Sequence, residues 1–402
     1  MGLLLRMNQQ WVRQFFSGLA QFYNTTALIL LNVFVLFVLL NAALFFIFWV
    51  KDQLGGPVVR SDAEQFREET VWPLAYEPFT MFKERRRASR WVNVDEDGFR
   101  MVKDQGPWPH DPGGFNIFVF GGSTTFGYGV ADDETWPSRL QELLSTRIDR
   151  VRVYNFGRGY YYSTQERILL EQLLVSGHIP RMAIFLDGIN DFCFDKDDLA
   201  FSERFSNALE GQDRGQAHSW LVPWLSGLPI GRAVEAAKRR LGMAKDSGPQ
   251  GLSIDSRADD AMYNDAAVIR HVIDRYLQNK KIIESTSGVY DVIPVFVWQP
   301  APAYKYELRY HSFAANGLGV HTRHRYGYAA LADLIRDRPL EGNFLWLADI
   351  QEQSREPLYI DLIHYSPMFL KELATQIDSR LTELGLYDQA LQLRYDSAGP
   401  RR

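Results

Sequence analysis

At 402 residues, with 46% apolar and 14% aromatic side chains, the chain has the hydrophobic content for a sizeable core, which excludes a disordered protein. A formal charge of -5 leaves no basic field to hold nucleic acid, and the basic cluster Glu84–Arg90 (ERRRASR) is too local to supply one. The single cysteine, Cys193, excludes an internal disulfide and any metal site built from several cysteines.

After a leader, residues 1–26, the stretch Ala27–Val50 runs for 24 uncharged, mostly apolar positions. At about 1.5 Å per residue that crosses a hydrocarbon layer of roughly 30 Å, so it predicts one transmembrane helix. A cleavable signal would have a shorter apolar region ending in small residues, whereas this one ends FFIFWVKD. Asn32 and Asn41 fall on nearly opposite faces and make no polar seam. Lysine and arginine counts do not separate the two flanks, and the amino terminus is placed in the cytoplasm because a short leader before a large domain behaves as a signal anchor. Residues 51–114 mix prolines, charges and short apolar pieces and read as an ordered stalk, with a tight turn or hairpin at the DEDG of Trp91–Phe99.

From Phe115 the pattern alternates. Strands are expected at Phe115–Phe120, Val151–Phe156, Arg181–Leu186, Val292–Trp298 and Phe344–Ala348. Helices are expected at Thr135–Thr146, Ser163–Ser176, Asp265–Glu284, Tyr326–Arg336 and Pro367–Leu384. Such alternation predicts an α/β domain with a five-stranded parallel sheet over residues 115–390, followed by a tail at 391–402. An insertion at about 201–263, part aromatic and part Gly/Ser/Asp-rich, reads as a lid or as a surface loop.

The first strand ends in Gly121 and Gly122, which permit a bend that a Cβ would obstruct and present Ser123 beyond the strand as a candidate nucleophile. Neither the G-x-S-x-G elbow nor the phosphate-cradling loop fits, because Thr125 stands at the last glycine of the first and the second lacks its lysine. Ligands of a parallel sheet sit beyond the carboxyl ends of its strands, so the polar residues there belong together. They are Ser123, then Asn155, Gly157, Gly159 and Tyr160, then Gly188, Asn190 and Asp191, and last Asp361 with His364 in YIDLIHYSP. Ser123, His364 and Asp361 supply nucleophile, base and orienter for acyl transfer. Backbone N–H groups at Ser123 and the glycine turns, with the Asn190 amide, supply an oxyanion hole.

Over Phe115–Leu386 this ordered set resembles the SGNH or GDSL hydrolases, whose blocks are a G-D-S-type serine, a glycine block, G-x-N-D and a late D-x-x-H. The resemblance implies a flavodoxin-like three-layer fold and assigns Ser123 as nucleophile, Asn190 as oxyanion amide, His364 as base and Asp361 as its orienter. Gly122 replaces the aspartate of G-D-S, and Tyr160 stands where the glycine block has its oxyanion glycine, with Gly159 before it. The donor there is a backbone N–H, so both Gly159 and Tyr160 are carried as candidates.

The expected protein is a membrane-anchored serine esterase, its catalytic domain outside the cytoplasm (periplasmic in a bacterium), acting on acylated glycans or lipids without cofactor or metal. An acyltransferase using the same site and a non-catalytic glycan-binding or assembly subunit stand beside it. His321 and His324 in HTRHRYG read as surface or substrate-contacting residues, and Trp298–Tyr310 as either a sugar-stacking or a packed aromatic loop.

Overall fold

The computed structural model describes residues 2–54, 74–194, 197, 199, 200, 202, 228–240 and 260–397. The chain divides into two units, Met1–Val59 with Glu203–Ser247, and Arg60–Ser202 with Gly248–Arg402.

In the first unit helix α1 spans Gly2–Leu54, and its stretch Phe15–Val50 has a mean hydropathy of 2.8 with none of it buried. It is long and apolar enough to cross a membrane. Asn41 donates to the Phe37 carbonyl (2.9 Å) and accepts the N–H of Ile230 (3.2 Å), at the start of a helix at Pro229–Arg240. That helix belongs to the expected insertion, of which residues 201, 203–227 and 241–259 lie outside the described residues.

The second unit carries a five-stranded sheet, β3 (Phe115–Gly121), β4 (Val151–Asn155), β5 (Met182–Asp187), β6 (Ile293–Trp298) and β7 (Phe344–Trp346), in the order β4-β3-β5-β6-β7 with every pairing parallel. It is the expected fold, in the doubly wound 2-1-3-4-5 order, whose switch point lies at the carboxyl ends of β3 and β5, from which the connections run in opposite directions along the sheet. Strand periodicity divides its two faces. Ile117, Val119, Val153, Ile184 and Val297 face one core with helices α3 (Trp136–Ser145) and α8 (Pro367–Glu383). Phe118, Phe120, Phe185 and Phe296 face the other with α4 (Ser163–Val175). Phe120, Phe185 and Phe296 stack in a row at 4.8 and 5.4 Å. Each such ring contributes roughly 1.5–3 kcal/mol by leaving water. Helices start where their caps do: Thr135 takes the N–H of Ser138, Asp265 those of Ala267 and Val268 ahead of α6 (Ala266–Val289), and Ser366 that of Phe369.

Two departures from expectation stand out. Within the expected stalk, residues 74–114 pack on the sheet: an antiparallel hairpin of β1 (Leu74–Glu77) and β2 (Met81–Glu84) places Phe82, and the following segment Phe99, in the aromatic core. Residues 55–73 lie outside the described residues. The DEDG turn forms, Gly98 N–H bonding the Asp95 carbonyl at 3.0 Å with φ +85° at Gly98. After it the Arg100 guanidinium, fully buried, holds the carbonyls of Phe126, Gly127 and Val130 and the Asp132 carboxylate. At the other end, helix α9 (Leu386–Ser397) follows Gly385 (φ +64°), packs Leu386, Tyr387 and Ala390 into the core, and runs on past the boundary expected at residue 391.

Candidate active site

Beyond β3 the backbone turns at once into a short helix, α2 (Ser123–Phe126). A Cβ at Gly121 would lie 2.0 Å from Thr125 Oγ1, and one at Gly122 would lie 2.3 Å from Asn190 Nδ2. Gly121, at φ +151°, is a position that a side chain would strain, while at 122 a side chain would need the Asn190 amide to shift. Ser123 stands past the strand end as expected, yet it is only 8% exposed, because it is drawn into a hydrogen-bonded chain.

His364 Nε2 lies 2.8 Å from Ser123 Oγ and His364 Nδ1 lies 2.5 Å from Asp361 Oδ2. The carboxylate accepts, so Nδ1 carries the proton and Nε2 is left to accept from the serine hydroxyl. Asp361 Oδ1 also takes the N–H groups of Ile363 (2.9 Å) and His364 (2.8 Å). Partial burial pushes this carboxyl up, but the His364 charge and these hydrogen bonds outweigh it and hold Asp361 well below the usual carboxylate range. The loop is pinned by the Ile360 N–H to His364 carbonyl bond (2.9 Å) and by α8, capped two residues after the histidine. Tyr128 lies against the imidazole, ring centroids 5.5 Å apart.

Asn190 sits in the short helix α5 (Ile189–Cys193) beyond β5, entered through Gly188 at φ +115°. Its Nδ2 donates to the Tyr161 carbonyl at 2.7 Å, which aims the amide at the Gly122–Ser123 turn and leaves its second hydrogen for a ligand. Asn155 ties the glycine block to α2, donating to the Thr125 carbonyl and accepting from Gly157 N–H, both at 2.9 Å. Tyr160 has φ +65°, the left-handed backbone that explains a glycine at this place in the resembling family. Gly159 is corrected as an oxyanion donor: its N–H is spent on Glu84 Oε1 at 2.7 Å.

His321 and His324 are corrected as well, since both are buried, beside Cys193. Cys193 Sγ is 3.4 Å from His321 Nδ1 and 4.0 Å from His324 Nε2, and the three donor atoms lie within 4.8 Å of one another. Burial lowers the pKa of His321 to about 3 and of His324 to about 4, so both rings are neutral. His324 Nε2 donates to the Ile189 carbonyl at 2.8 Å, so the nitrogen facing the thiol carries a proton and is committed. That donor set fits a polar packing cluster behind α5 better than a set of metal ligands. The Trp298–Tyr310 loop is the packed alternative: Trp298, Tyr304 and Tyr306 are buried, and the Tyr306 hydroxyl holds the Glu356 carbonyl at 2.7 Å.

Sequence reasoning missed Glu84, Tyr128, Arg100 and Arg158. Arg158 is buried, pairs with Glu77, and donates to the Asp97 carbonyl at 3.2 Å. The partners of Glu84 and Arg158 lie 75 and 81 residues away, so no local pattern marks them.

Residues 119–367 match the GDSL-like lipase/acylhydrolase family. Among solved structures, the chain is similar to a protein described as lipolytic and of the G-D-S-L family from Desulfitobacterium hafniense DCB-2 (13% identity, 66% of this chain, 99% of that one, TM-score 0.35). It is also similar to the acetyl xylan esterase AlAXEase (12%, 66%, 98%, 0.36) and to a lipase from a goat rumen metagenome (8%, 66%, 97%, 0.38). No curated protein matched the sequence. The match over 119–367 spans more than half of the chain, which therefore belongs to the GDSL-like lipase/acylhydrolase family and is a hydrolase of ester bonds.

Proposed function

We propose that the chain is a membrane-anchored serine esterase in which Ser123, His364 and Asp361 perform the chemistry. The observation that carries this reading is the continuous hydrogen-bonded chain from Asp361 through His364 to Ser123. As an ester carbonyl enters, Ser123 Oγ attacks and its proton passes to His364 Nε2, while Asp361 stabilises the imidazolium that forms. The tetrahedral oxyanion is met by the N–H groups of Ser123 and Tyr160 and by the Asn190 amide, each such donor contributing about a hundred- to a thousandfold in turnover. His364 then protonates the departing alcohol, and a water activated by the same imidazole releases the acid.

Helix α1 anchors the enzyme, with its catalytic domain outside the cytoplasm, and keeps it within reach of acylated envelope glycans or lipids. The support for the anchor is the apolar stretch Phe15–Val50. Ser123→Ala should abolish hydrolysis of short-chain aryl esters and acetylated glycans, together with labelling by a serine-directed phosphonate, in a chain that still folds. Undiminished turnover would remove the nucleophile. Fractionation tests the anchor: the chain should stay with membranes through high salt and leave only in detergent. Protease added to spheroplasts should reach the catalytic domain, and protection until lysis would reverse the orientation.

A further inference from the structure

Glu84 ends β2, outside the residues that match the family, and its side chain is buried at 1% exposure. Oε1 accepts the Gly159 N–H at 2.7 Å and the Tyr128 hydroxyl at 3.3 Å, while Oε2 has no hydrogen-bond partner among the described residues. Burial raises the carboxyl to about pH 7, against the pull of Gly159 N–H, Tyr128 and Arg100. A carboxyl sealed in this way and half satisfied is a poor stabiliser, and an apolar side chain of the same length would fill the space at less cost. What it adds is an acceptor at one place.

That place joins the two halves of the site. Gly159 directly precedes Tyr160, the oxyanion donor, and the turn they share rests on the same hairpin elsewhere. Tyr161 donates to the Phe82 carbonyl (2.6 Å), Gln165 to the Thr80 carbonyl (2.9 Å), and Arg158 pairs with Glu77. Tyr128, the other partner of Glu84, lies on the His364 ring. There is no slack between these groups, since a Cβ on Gly159 would sit 2.2 Å from the Tyr128 hydroxyl oxygen. An amide rotated by a few tens of degrees no longer points at a developing oxyanion, and small misplacements in a preorganised site are costly in turnover.

We propose that Glu84 is a positioning residue for ester hydrolysis: by holding the Gly159 N–H it aims the next amide, that of Tyr160, at the oxyanion, and by holding Tyr128 it seats the ring of His364. This rests on the assignment of Ser123, His364 and Tyr160 under the proposed function. The oxyanion turn of this enzyme is then set by a hairpin that precedes the family domain, and the domain alone lacks one of its supports.

The test uses the full-length chain in detergent, with Glu84→Met, Glu84→Gln and Ser123→Ala assayed side by side for kcat, KM and melting temperature. Glu84→Met removes the buried charge but leaves the Gly159 N–H and the Tyr128 hydroxyl without this acceptor, so the two effects on stability oppose each other and the melting temperature should change little, while kcat falls about 30- to 100-fold and KM changes less than about threefold. Glu84→Gln restores a carbonyl acceptor and should bring kcat back to within about fivefold of wild type. A residue that merely supported the fold would lose stability and activity together. The proposal is overturned if Glu84→Met keeps kcat within about threefold, if Glu84→Gln is no better than Glu84→Met, or if the loss lies in KM alone. Should Glu84→Met fail to fold, Glu84→Asp takes its place. It keeps the charge but draws the acceptor back from Gly159, and a kcat loss below about threefold there overturns the proposal equally, while tenfold or more supports it. Activity surviving in Ser123→Ala would overturn the site assignment and this proposal with it. An inactive Ser123→Ala beside a fully active Glu84→Met would overturn the role of Glu84 alone.

Discussion

Two carboxyls with proposed roles in hydrolysis sit in opposite kinds of surroundings. Asp361 lies in a loop, half exposed, and its oxygens take two backbone N–H groups and the imidazole, all from residues at most three positions away. Glu84 is buried at the end of the hairpin's second strand, has one oxygen without a hydrogen-bond partner among the described residues, and bonds a residue 75 positions on. The first is held well below the usual carboxylate range and the second is pushed up to about 7, burial dominating where hydrogen bonds are too few to offset it. The comparison teaches that the carboxyl proposed to stay ionised is surrounded by donors close in sequence, whereas the one proposed only to aim a neighbour carries an unfavourable buried charge.

The comparison breaks most visibly at Asp361. Asp361→Asn preserves shape but cannot accept from Nδ1–H as a carboxylate does, so the imidazole takes the tautomer that presents a proton to Ser123. A loss of about a hundred- to ten-thousandfold in kcat is expected, with little change in KM. Steady-state kinetics at one pH suffices to measure it, and a loss below tenfold would mean that Asp361 does not orient the base.

The next effect is on stability, and its sign distinguishes the two carboxyls. Glu84 has an ordinary value of 4.5 and a folded value of about 7. Below pH 4.5 it is protonated in both states. Between 4.5 and 7 only the unfolded chain gives up the proton, so the stability that Glu84 contributes at low pH is lost as pH rises through that window. The loss approaches about 3 kcal/mol by pH 8. Glu84→Gln has no such proton, and its stability relative to wild type should rise by that amount from pH 4 to pH 8. Asp361 runs the other way: its contribution is present above the ordinary carboxylate pKa and is lost as pH falls below it. Denaturant titrations of the solubilised chain at several pH values would show it, and parallel curves for wild type and Glu84→Gln would contradict the buried state of this carboxyl.

The same contrast explains what the sequence revealed. The five strands were legible because they are short apolar runs ending in turn residues, and their parallel direction followed from the helices between them. Ser123, Asn190, Asp361 and His364 were legible as single polar residues at strand ends or in a local D-x-x-H pattern. The β1–β2 hairpin was not, because φ is +66° at Phe79 in its turn and +76° at Met81, the first residue of β2, where glycine or asparagine would have announced it. Its strands are four residues each, with Glu77, Lys83 and Glu84 interrupting the apolar pattern. Gly159 was assigned as a donor because nothing near it in sequence shows that its N–H is already taken. His321 and His324 read as surface or substrate-contacting residues because neutral buried histidines carry no local mark; only the fold brings Cys193 and the Ile189 carbonyl to them.

The smallest expected effect concerns Tyr160, the residue that Glu84 is proposed to aim. Its φ of +65° is costly for a residue with a Cβ, by roughly 1–2 kcal/mol, and is held by the turn around it. Its ring partly offsets that cost by packing edge-on to Phe82 at 6.4 Å. Tyr160→Ala keeps the strained backbone and loses the ring. Tyr160→Gly also loses the ring but relieves the strain, at a cost of about 0.4–1 kcal/mol in unfolded-chain entropy. The glycine variant should therefore be the more stable of the two, by up to about 1 kcal/mol. Both retain the backbone N–H, so both should keep turnover within about a factor of ten, well short of the hundred- to thousandfold expected for a lost oxyanion donor. An alanine variant as stable as the glycine variant would show that the left-handed turn is not maintained. A hundredfold fall in kcat in both would move the donor role from the amide of Tyr160 to its phenol.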